Sequence, residues 1–180
     1  HTSHSGQSTA IGLATHSVFT HMGILEKRKD GWVVLEAIGP VRATPLAEWT
    51  RRGRGGRYAV YRRPLDTAQT KAILRKGHAL AGRPYDIFFD FDNNAIYCSE
   101  LAWLAYGAAG IAPGRVQTVS QLHVGFGARK LIKARAGRDP DCAGIDAEAC
   151  YVRIMNRKLI TPLAIAQDPD FRQIYSNYPF

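Results

Sequence analysis

Of the three cysteines in the chain, Cys98 stands where a thiol could act as a nucleophile. It lies at the predicted start of an apolar helix over residues 98–107, where unpaired backbone N–H groups stabilise a thiolate. The same groups can stabilise the oxyanion that forms when a carbonyl is attacked. Cys98 is therefore a candidate for acyl-transfer chemistry. The alternative is a structural thiol, since free cysteine is among the most buried residue types.

A nucleophilic thiol needs a base, and His21 is the best candidate among the six histidines. It begins a predicted strand and has small neighbours, Thr20 and Gly23. Glu36 is an isolated carboxylate within the neighbouring apolar strand. Because a carboxylate can orient an imidazole that acts as base, the residue types predict a Cys98–His21–Glu36 triad. The alternatives are a packing histidine and a glutamate that faces solvent or pairs with an arginine.

The triad depends on the register of a predicted β-hairpin. Two apolar runs flank Lys29-Asp30-Gly31, and Asp-Gly favours a tight turn. If Asp30 and Gly31 form a two-residue turn, His21 and Glu36 share a face but lie about 13 Å apart along the ladder. A four-residue loop that ends at Asp30 places them directly opposite each other. The triad requires this second register, or a bulge that has the same effect.

The remaining pattern predicts an α+β fold in which a small antiparallel sheet or barrel packs on helices, with Cys98 at the start of a buried helix. No repeat or low-complexity linker interrupts the chain, so we expect a single domain over residues 1–180. The other predicted elements are helices at 7–15 and 67–80, strands at 58–62 and 151–155, and a short helix after Pro162.

Short motifs follow one another in the order seen in a known family. They are the opening segment 5–17, His21-Met-Gly-Ile, Glu36-Ala-Ile-Gly-Pro-Val, Thr44-Pro-Leu with Trp49, Gly82-Arg-Pro-Tyr-Asp86 and Tyr97-Cys-Ser-Glu-Leu-Ala-Trp103. Over residues 5–106 the chain resembles the YiiX/YaeF family of permuted papain-like amidases, relatives of NlpC-type cell-wall peptidases and of lecithin–retinol acyltransferase. The histidine strand precedes the cysteine helix, as this permuted arrangement requires.

The resemblance implies roles for individual residues. Cys98 would be the nucleophile, His21 the general base and acid, and Glu36 the residue that orients His21. Tyr85 could place its hydroxyl near the oxyanion, with a packing role as the alternative. No cofactor and no metal is implied.

The implied activity is cleavage of an amide or peptide bond through an acyl-enzyme, on a cell-wall peptide or a related amide. One alternative is thioesterase or acyltransferase chemistry on lipid substrates, and another is a non-catalytic binding module of the same fold.

Composition excludes general disorder, since 46% of residues are hydrophobic and 22% are charged. The 24 Lys and Arg residues outnumber the 15 Asp and Glu, which gives a net charge of +9. This charge predicts an anionic partner such as a cell-envelope polymer. The basic segment 51–57 has no aromatic residue, which argues against nucleic acid. No apolar run is long enough to predict a membrane span.

The other two cysteines, Cys142 and Cys150, match no zinc-ligand spacing. They could form a disulfide and leave Cys98 free, or all three thiols could be reduced. Together with the family resemblance, this possibility predicts a periplasmic, secreted or envelope-associated protein, with the cytoplasm as the alternative. The sequence shows no signal-peptide pattern, so a leader would lie outside it.

Overall fold

The structure is a computed structural model and describes residues 1–91 and 93–179. The helices are α1 (Gly6–Thr15), α2 (Leu46–Arg51), α3 (Thr67–Ala79), α4 (Cys98–Gly107), α5 (Phe126–Ala136), α6 (Ala147–Asn156) and α7 (Pro162–Ala166). The strands are β1 (Ile24–Arg28), β2 (Gly31–Ala37), β3 (Val41–Pro45), β4 (Ala59–Arg62), β5 (Gln117–Thr118), β6 (Lys158–Leu159) and β7 (Arg172–Ser176). The predicted α+β class is confirmed.

Strands β1, β2 and β3 form an antiparallel sheet in that order. Arg28 pairs with Gly31, so Lys29 and Asp30 form the two-residue turn. This turn begins one residue before the predicted two-residue turn and two residues after the start of the predicted four-residue loop. Both of those registers are wrong. Gly31 has a φ of +129°, a conformation that glycine adopts without the steric cost of a side chain.

The observed register brings His21 towards Glu36 by a route that the sequence analysis did not consider. The ladder ends where Ile24 pairs with Leu35, and the preceding residue, Gly23, lies against Glu36. A Cβ on Gly23 would lie 3.2 Å from Glu36 Cβ and 2.5 Å from the Leu35 carbonyl oxygen. Glycine is therefore needed for this close approach, and His21, two residues before Gly23, stays within diagonal reach of Glu36.

Helix α4 lies at the centre of the core, as its apolar sequence predicts. Leu101, Ala102 and Ala105 are all buried, and α3 packs along α4. On the other side of α3, a Cβ on Gly77 would come within 3.0 Å of the Leu35 side chain. The core therefore fixes α4 relative to the three-stranded sheet.

The C-terminal third differs from the sequence prediction. The predicted strand at 151–155 is wrong, because these residues lie in helix α6. The Asp146 side chain accepts hydrogen bonds from the backbone N–H groups of Glu148 and Ala149, which is a helix N-cap. Cys150 and Ile154, four residues apart, are both buried, so the apolar positions follow helical spacing.

The predicted strand at 58–62 is confirmed as β4, which pairs with β7 near the end of the chain. Cys142 and Cys150 form a disulfide, which settles that alternative. The disulfide lies in a small apolar cluster with Ile154, apart from the core around α4. None of the helices in residues 1–91 and 93–179 has the length and apolar character of a membrane span.

Candidate active site

Cys98 is the first residue of α4, and two hydrogen bonds hold this end of the helix in place. The Tyr97 hydroxyl accepts a hydrogen bond of 3.0 Å from the Ile160 backbone N–H. The Ser99 hydroxyl donates a hydrogen bond of 2.8 Å to the Ile160 carbonyl oxygen. The start of α4 is therefore fixed on both sides of Cys98 by one residue of the chain segment before α7.

His21 faces the Cys98 thiol within hydrogen-bonding range. Burial alone would raise the pKa of the thiol, but the hydrogen bond and positive charge of His21 outweigh it, helped by the Met22 backbone and the Ser99 hydroxyl. The pKa of Cys98 is therefore below its usual value. This combination favours a thiolate paired with an imidazolium.

Glu36 holds the opposite side of the His21 ring. Its Oε2 atom lies 2.7 Å from His21 Nε2, and an ionised carboxylate can only accept, so Nε2 carries the proton. Nδ1 is then the ring nitrogen left for the thiol. Burial alone would lower the pKa of His21, but the hydrogen bonds and charges of Cys98 and Glu36 raise it.

Glu36 is completely buried, and three partners compensate its charge. Besides His21, the Thr44 hydroxyl donates a hydrogen bond of 2.6 Å to Oε1, and Arg52 Nη2 forms an ion pair with the same oxygen. Burial would raise the pKa of Glu36, but the His21 and Thr44 hydrogen bonds and the His21 and Arg52 charges lower it. Glu36 therefore stays ionised beside His21.

Backbone contacts to the first residues of the chain hold the His21 segment. The carbonyl oxygen of His1 accepts hydrogen bonds from the Thr20 and His21 N–H groups, at 3.1 and 3.0 Å. The backbone nitrogen of His1 lies 2.8 Å from the His21 carbonyl oxygen. The His1 ring stacks on Trp49, with centroids 4.1 Å apart, and packs against the His21 ring at 5.2 Å.

Tyr85 also lies at the thiol. Residues 84–86 pair with Ile96 through two backbone hydrogen bonds, so Tyr85 lies beside the chain that leads into α4. Its hydroxyl is within hydrogen-bonding range of Cys98. Burial, followed by the nearby charge of Cys98, raises the pKa of the Tyr85 hydroxyl. Tyr85 therefore remains a neutral donor beside the thiol.

Two cavities meet at His21. A polar cavity of about 600 Å³ includes Thr20, Arg52 and Tyr85 in its walls. An apolar groove of about 530 Å³ is lined by residues such as Met22 and Trp49. Both cavities have His1 and His21 in their walls. The Cys98 residue itself is only 1% exposed, so the thiol lies beneath this junction.

The structure thus brings together all four residues that the sequence analysis named: Cys98, His21, Glu36 and Tyr85. Thr44, Arg52 and His1 also lie at the site but were not predicted from the sequence. Thr44 belongs to a motif used for the family resemblance, but Arg52 is one of four arginines in the segment 51–57, and nothing in the sequence distinguishes it from the others.

Nearly the whole chain matches a known protein family. The family model for permuted papain-like amidase enzymes, the YaeF/YiiX or C92 family, matches residues 2–175. The chain belongs to this family, as its motifs predict, and membership supports an activity of the cysteine hydrolase type.

Two relatives come from Escherichia coli. The uncharacterized protein YiiX of strain K12 is 38% identical over 122 residues, which is 66% of this chain and 60% of the length of YiiX. The crystal structure of YiiX from strain O157:H7 superposes with a TM-score of 0.87 at 30% identity, and the alignment covers 99% of this chain and 94% of the other.

The YiiX protein of strain O157:H7 is described as a metalloprotein. In the present chain, no group of three or more His, Cys, Asp or Glu side chains within residues 1–91 and 93–179 is arranged to hold a metal ion. The residues that surround Cys98 therefore do not fit a resident metal centre.

Proposed function

We propose that the protein is a cysteine hydrolase that cleaves an amide bond through an acyl-enzyme on Cys98. The observation that carries the proposal is the 2.7 Å hydrogen bond between the His21 ring and the buried Glu36 carboxylate, beside a Cys98 thiol whose pKa is lowered by His21. This arrangement has the parts that an activated nucleophile requires, namely a base in contact with it and a third group that orients the base.

The proposed reaction begins from the thiolate and imidazolium pair. The Cys98 sulfur attacks the amide carbonyl carbon, and the carbonyl electrons move to the oxygen. When the carbonyl re-forms, the C–N bond breaks and His21 gives its proton to the leaving nitrogen. Neutral His21 then takes a proton from water, whose oxygen attacks the thioester. The C–S bond breaks, and the carboxylic acid and the thiolate are released.

Two groups are placed to stabilise the oxyanion. The Tyr85 hydroxyl lies within hydrogen-bonding range of the thiol, and the first backbone N–H groups of α4 lie at Cys98 itself. Donors positioned where charge develops can contribute about 10²–10³-fold to a rate. We propose that Tyr85 supplies one of these donors.

The test is the pH dependence of alkylation by iodoacetamide. Cys98 is the one free thiol beside the Cys142–Cys150 disulfide, so without reductant the label reports on Cys98 alone. We expect its alkylation to titrate well below the ordinary thiol value of about 8.5. Substitution His21→Gln should return the profile towards that value, and Cys98→Ala should abolish hydrolysis.

Two results would contradict the proposal. One is a wild-type alkylation profile that titrates near 8.5, and the other is full hydrolytic activity in Cys98→Ala. Because Cys98 is buried, the profile and not the absolute rate is compared, with urea-unfolded protein as the reference for an unperturbed thiol.

A second candidate function, chemistry on acyl lipids, is favoured by the apolar groove that leads to His21. The groove includes the aromatic side chains of Phe19, Trp49, Tyr58 and Tyr61, which suit an acyl chain better than a polar peptide. A panel of muropeptides, simple peptides and acyl thioesters separates the two candidates. Turnover of only the acyl compounds would replace amide hydrolysis with thioesterase or acyltransferase activity.

We also propose that the protein works in an oxidising compartment, such as the periplasm or the exterior of the cell. The Cys142–Cys150 disulfide supports this, because disulfides persist there and are rare in the cytosol. A net charge of +9 suits an anionic envelope polymer as a partner. Thiol trapping in cell fractions would show reduced Cys142 and Cys150 if the location were cytosolic.

A further inference from the structure

The polar cavity beside His21 contains hydrogen-bonding groups that have no partner among the described residues. Gln7 Nε2, Arg52 Nε and both ring nitrogens of His1 are buried without a hydrogen bond to any of them, and all three residues line this cavity. His1 is only 4% exposed. Buried polar groups in folded proteins nearly always have a partner, so this grouping indicates a site whose ligand supplies acceptors.

The charge of the cavity wall indicates the kind of ligand. Arg51 and Arg52 both line the cavity, and no Asp or Glu is among the described residues of its wall. Arg52 uses Nη2 for Glu36, which leaves its Nε free to donate. Ser3 and Thr20 also line the cavity. A wall of cations and donors complements an anionic oxygen group, a carboxylate or a phosphate.

The apolar groove meets the polar cavity at His1 and His21, which among the described residues line both. A bond that reaches Cys98 at this junction can therefore extend in two directions. One direction leads mainly to aromatic and aliphatic side chains, with Arg62 and Arg63 also in the wall and Arg63 paired with Asp170. The other leads to Arg51, Arg52 and the unpartnered donors of the polar cavity.

We propose that the polar cavity binds an anionic group of the substrate, so that the substrate is an amphiphile with an apolar chain and a carboxylate or phosphate on opposite sides of the bond that is cleaved. This inference rests on the proposed function for its reaction, but the anion site is a separate claim about binding.

The experiment uses three amides with the same acyl chain. N-dodecanoylethanolamine is neutral, N-dodecanoylglycine carries a carboxylate, and N-dodecanoyl-O-phosphoethanolamine carries a phosphate. Binding to the Cys98→Ala variant is measured by calorimetry, so that turnover does not enter. We expect the anionic amides to bind at least tenfold more tightly than the neutral one. The tighter of the two distinguishes a phosphate headgroup from a carboxylate.

Variants that place a negative charge in the cavity wall then locate the site. Arg51→Glu should remove most of the preference for anions, and Gln7→Glu should do the same from another wall of the cavity. Arg75→Glu is the matched control, because Arg75 is exposed on α3 and lies outside the residues that line the cavity. It should leave the preference unchanged.

Equal affinity for the three amides, or no binding of any of them, would overturn the anion site. A loss of preference in Arg75→Glu as large as that in Arg51→Glu would also overturn it, because the effect would then come from net charge. These results are independent of the alkylation profile of Cys98, so the binding site and the proposed function can fail separately.

Discussion

The Cys98 thiol is buried, and its pKa is nevertheless lowered. Burial opposes ionisation, but the thiol has His21, the Met22 backbone and Ser99 as hydrogen-bonding neighbours. A neutral surrounding of the same depth would leave the thiol protonated and unreactive. In the proposed mechanism, the reactivity of Cys98 therefore depends on the charge of His21, which in turn depends on Glu36.

The substitution Glu36→Gln tests this dependence at the residue scale. It removes the negative charge that helps to raise the pKa of His21, so the imidazolium is less favoured and the pKa of the thiol should rise. We expect kcat/KM to fall about 10²-fold or more, and the alkaline shift should be visible in the alkylation profile. The control is Glu48→Gln, because Glu48 is the exposed ion-pair partner of Arg42. An unchanged profile in Glu36→Gln would contradict this dependence.

A second residue-scale prediction concerns Glu100 in the first turn of α4. Burial raises the pKa of Glu100 to about 8, and the nearby charges of Asp86 and Asp90 raise it further. The hydrogen bond from the Tyr97 N–H and the charge of Arg83 act in the opposite direction. The folded state therefore holds this proton more tightly than the unfolded chain does, and the free energy of unfolding should decrease as pH rises from about 4.5 to about 8.

Glu100→Gln should remove that part of the pH dependence. The amide oxygen can still accept the 3.2 Å hydrogen bond from the Tyr97 N–H, and no buried charge forms at high pH. Urea unfolding at pH 5.5, 7 and 8.5 measures the effect, with Glu148→Gln in the exposed first turn of α6 as the control. A wild-type slope that persists in Glu100→Gln would contradict the assignment.

At the scale of elements, the site depends on a glycine and on the register of one hairpin. Gly23 lets the chain cross close to β2, and the turn at Lys29 and Asp30 sets which residue of β2 His21 reaches. A shift of the register by one residue would move Glu36 to the other face of the sheet. The geometry of the candidate site is therefore specified by the sheet as much as by Cys98, His21 and Glu36.

Thr44 on β3 tests how the sheet supports Glu36. Thr44→Val keeps the shape of the side chain but removes the hydrogen bond to the buried carboxylate, and hydrogen bonds to charged groups contribute about 1.5–3 kcal/mol. The pKa of Glu36 is lowered in the folded state, so its contribution to stability is present above the unfolded value near 4.5 and is lost as pH falls through the folded value.

We therefore expect Thr44→Val to lose stability at neutral pH and to unfold in acid at a higher pH than the wild type. Circular dichroism during acid titration measures both midpoints. Thr9→Val, at an exposed position of α1, is the control and should change neither. An acid midpoint that stays the same in Thr44→Val would mean that Thr44 does not lower the pKa of Glu36.

Much of the secondary structure could be predicted from the sequence. Helix α4 is apolar almost all round, and α3 has Asp66 as an N-cap, so both were predicted at nearly their observed bounds. The register of the β1–β2 hairpin was not predicted correctly, because the residues are compatible with a tight turn at Lys29-Asp30 and with one at Asp30-Gly31. The strand prediction at 151–155 is wrong because Tyr151 and its apolar neighbours also suit a strand, whereas the N-cap at Asp146 begins a helix that continues through them.

At the scale of the whole molecule, the described residues form three apolar clusters. Two of them include residues of α4, which begins at the candidate site, whereas the Cys142–Cys150 disulfide belongs to a third cluster beside α5 and α6. The pairing of these cysteines could be proposed from the sequence but not decided, because it depends on a helix that the sequence analysis did not predict.

Reduction of the disulfide should therefore destabilise the protein without altering the site. A loop of eight to nine residues closed by a disulfide contributes about 2–3 kcal/mol. We expect the paired substitution of Cys142 and Cys150 by serine to lower the melting temperature while leaving the pH profile of Cys98 alkylation unchanged. A shifted profile would show that the two regions are coupled.

The order of the site residues along the chain has a consequence for biosynthesis. His21, Met22, Glu36, Thr44 and Arg52 all precede Cys98, and of the groups named around the thiol only Ser99 follows it. Arg52 is synthesised 46 residues before Cys98, which at cellular translation rates is roughly 2–10 s. The thiol is thus added to a nascent chain that already contains the proposed base and the carboxylate proposed to orient it. A chain that terminates early on the ribosome therefore never carries Cys98 without His21 and Glu36.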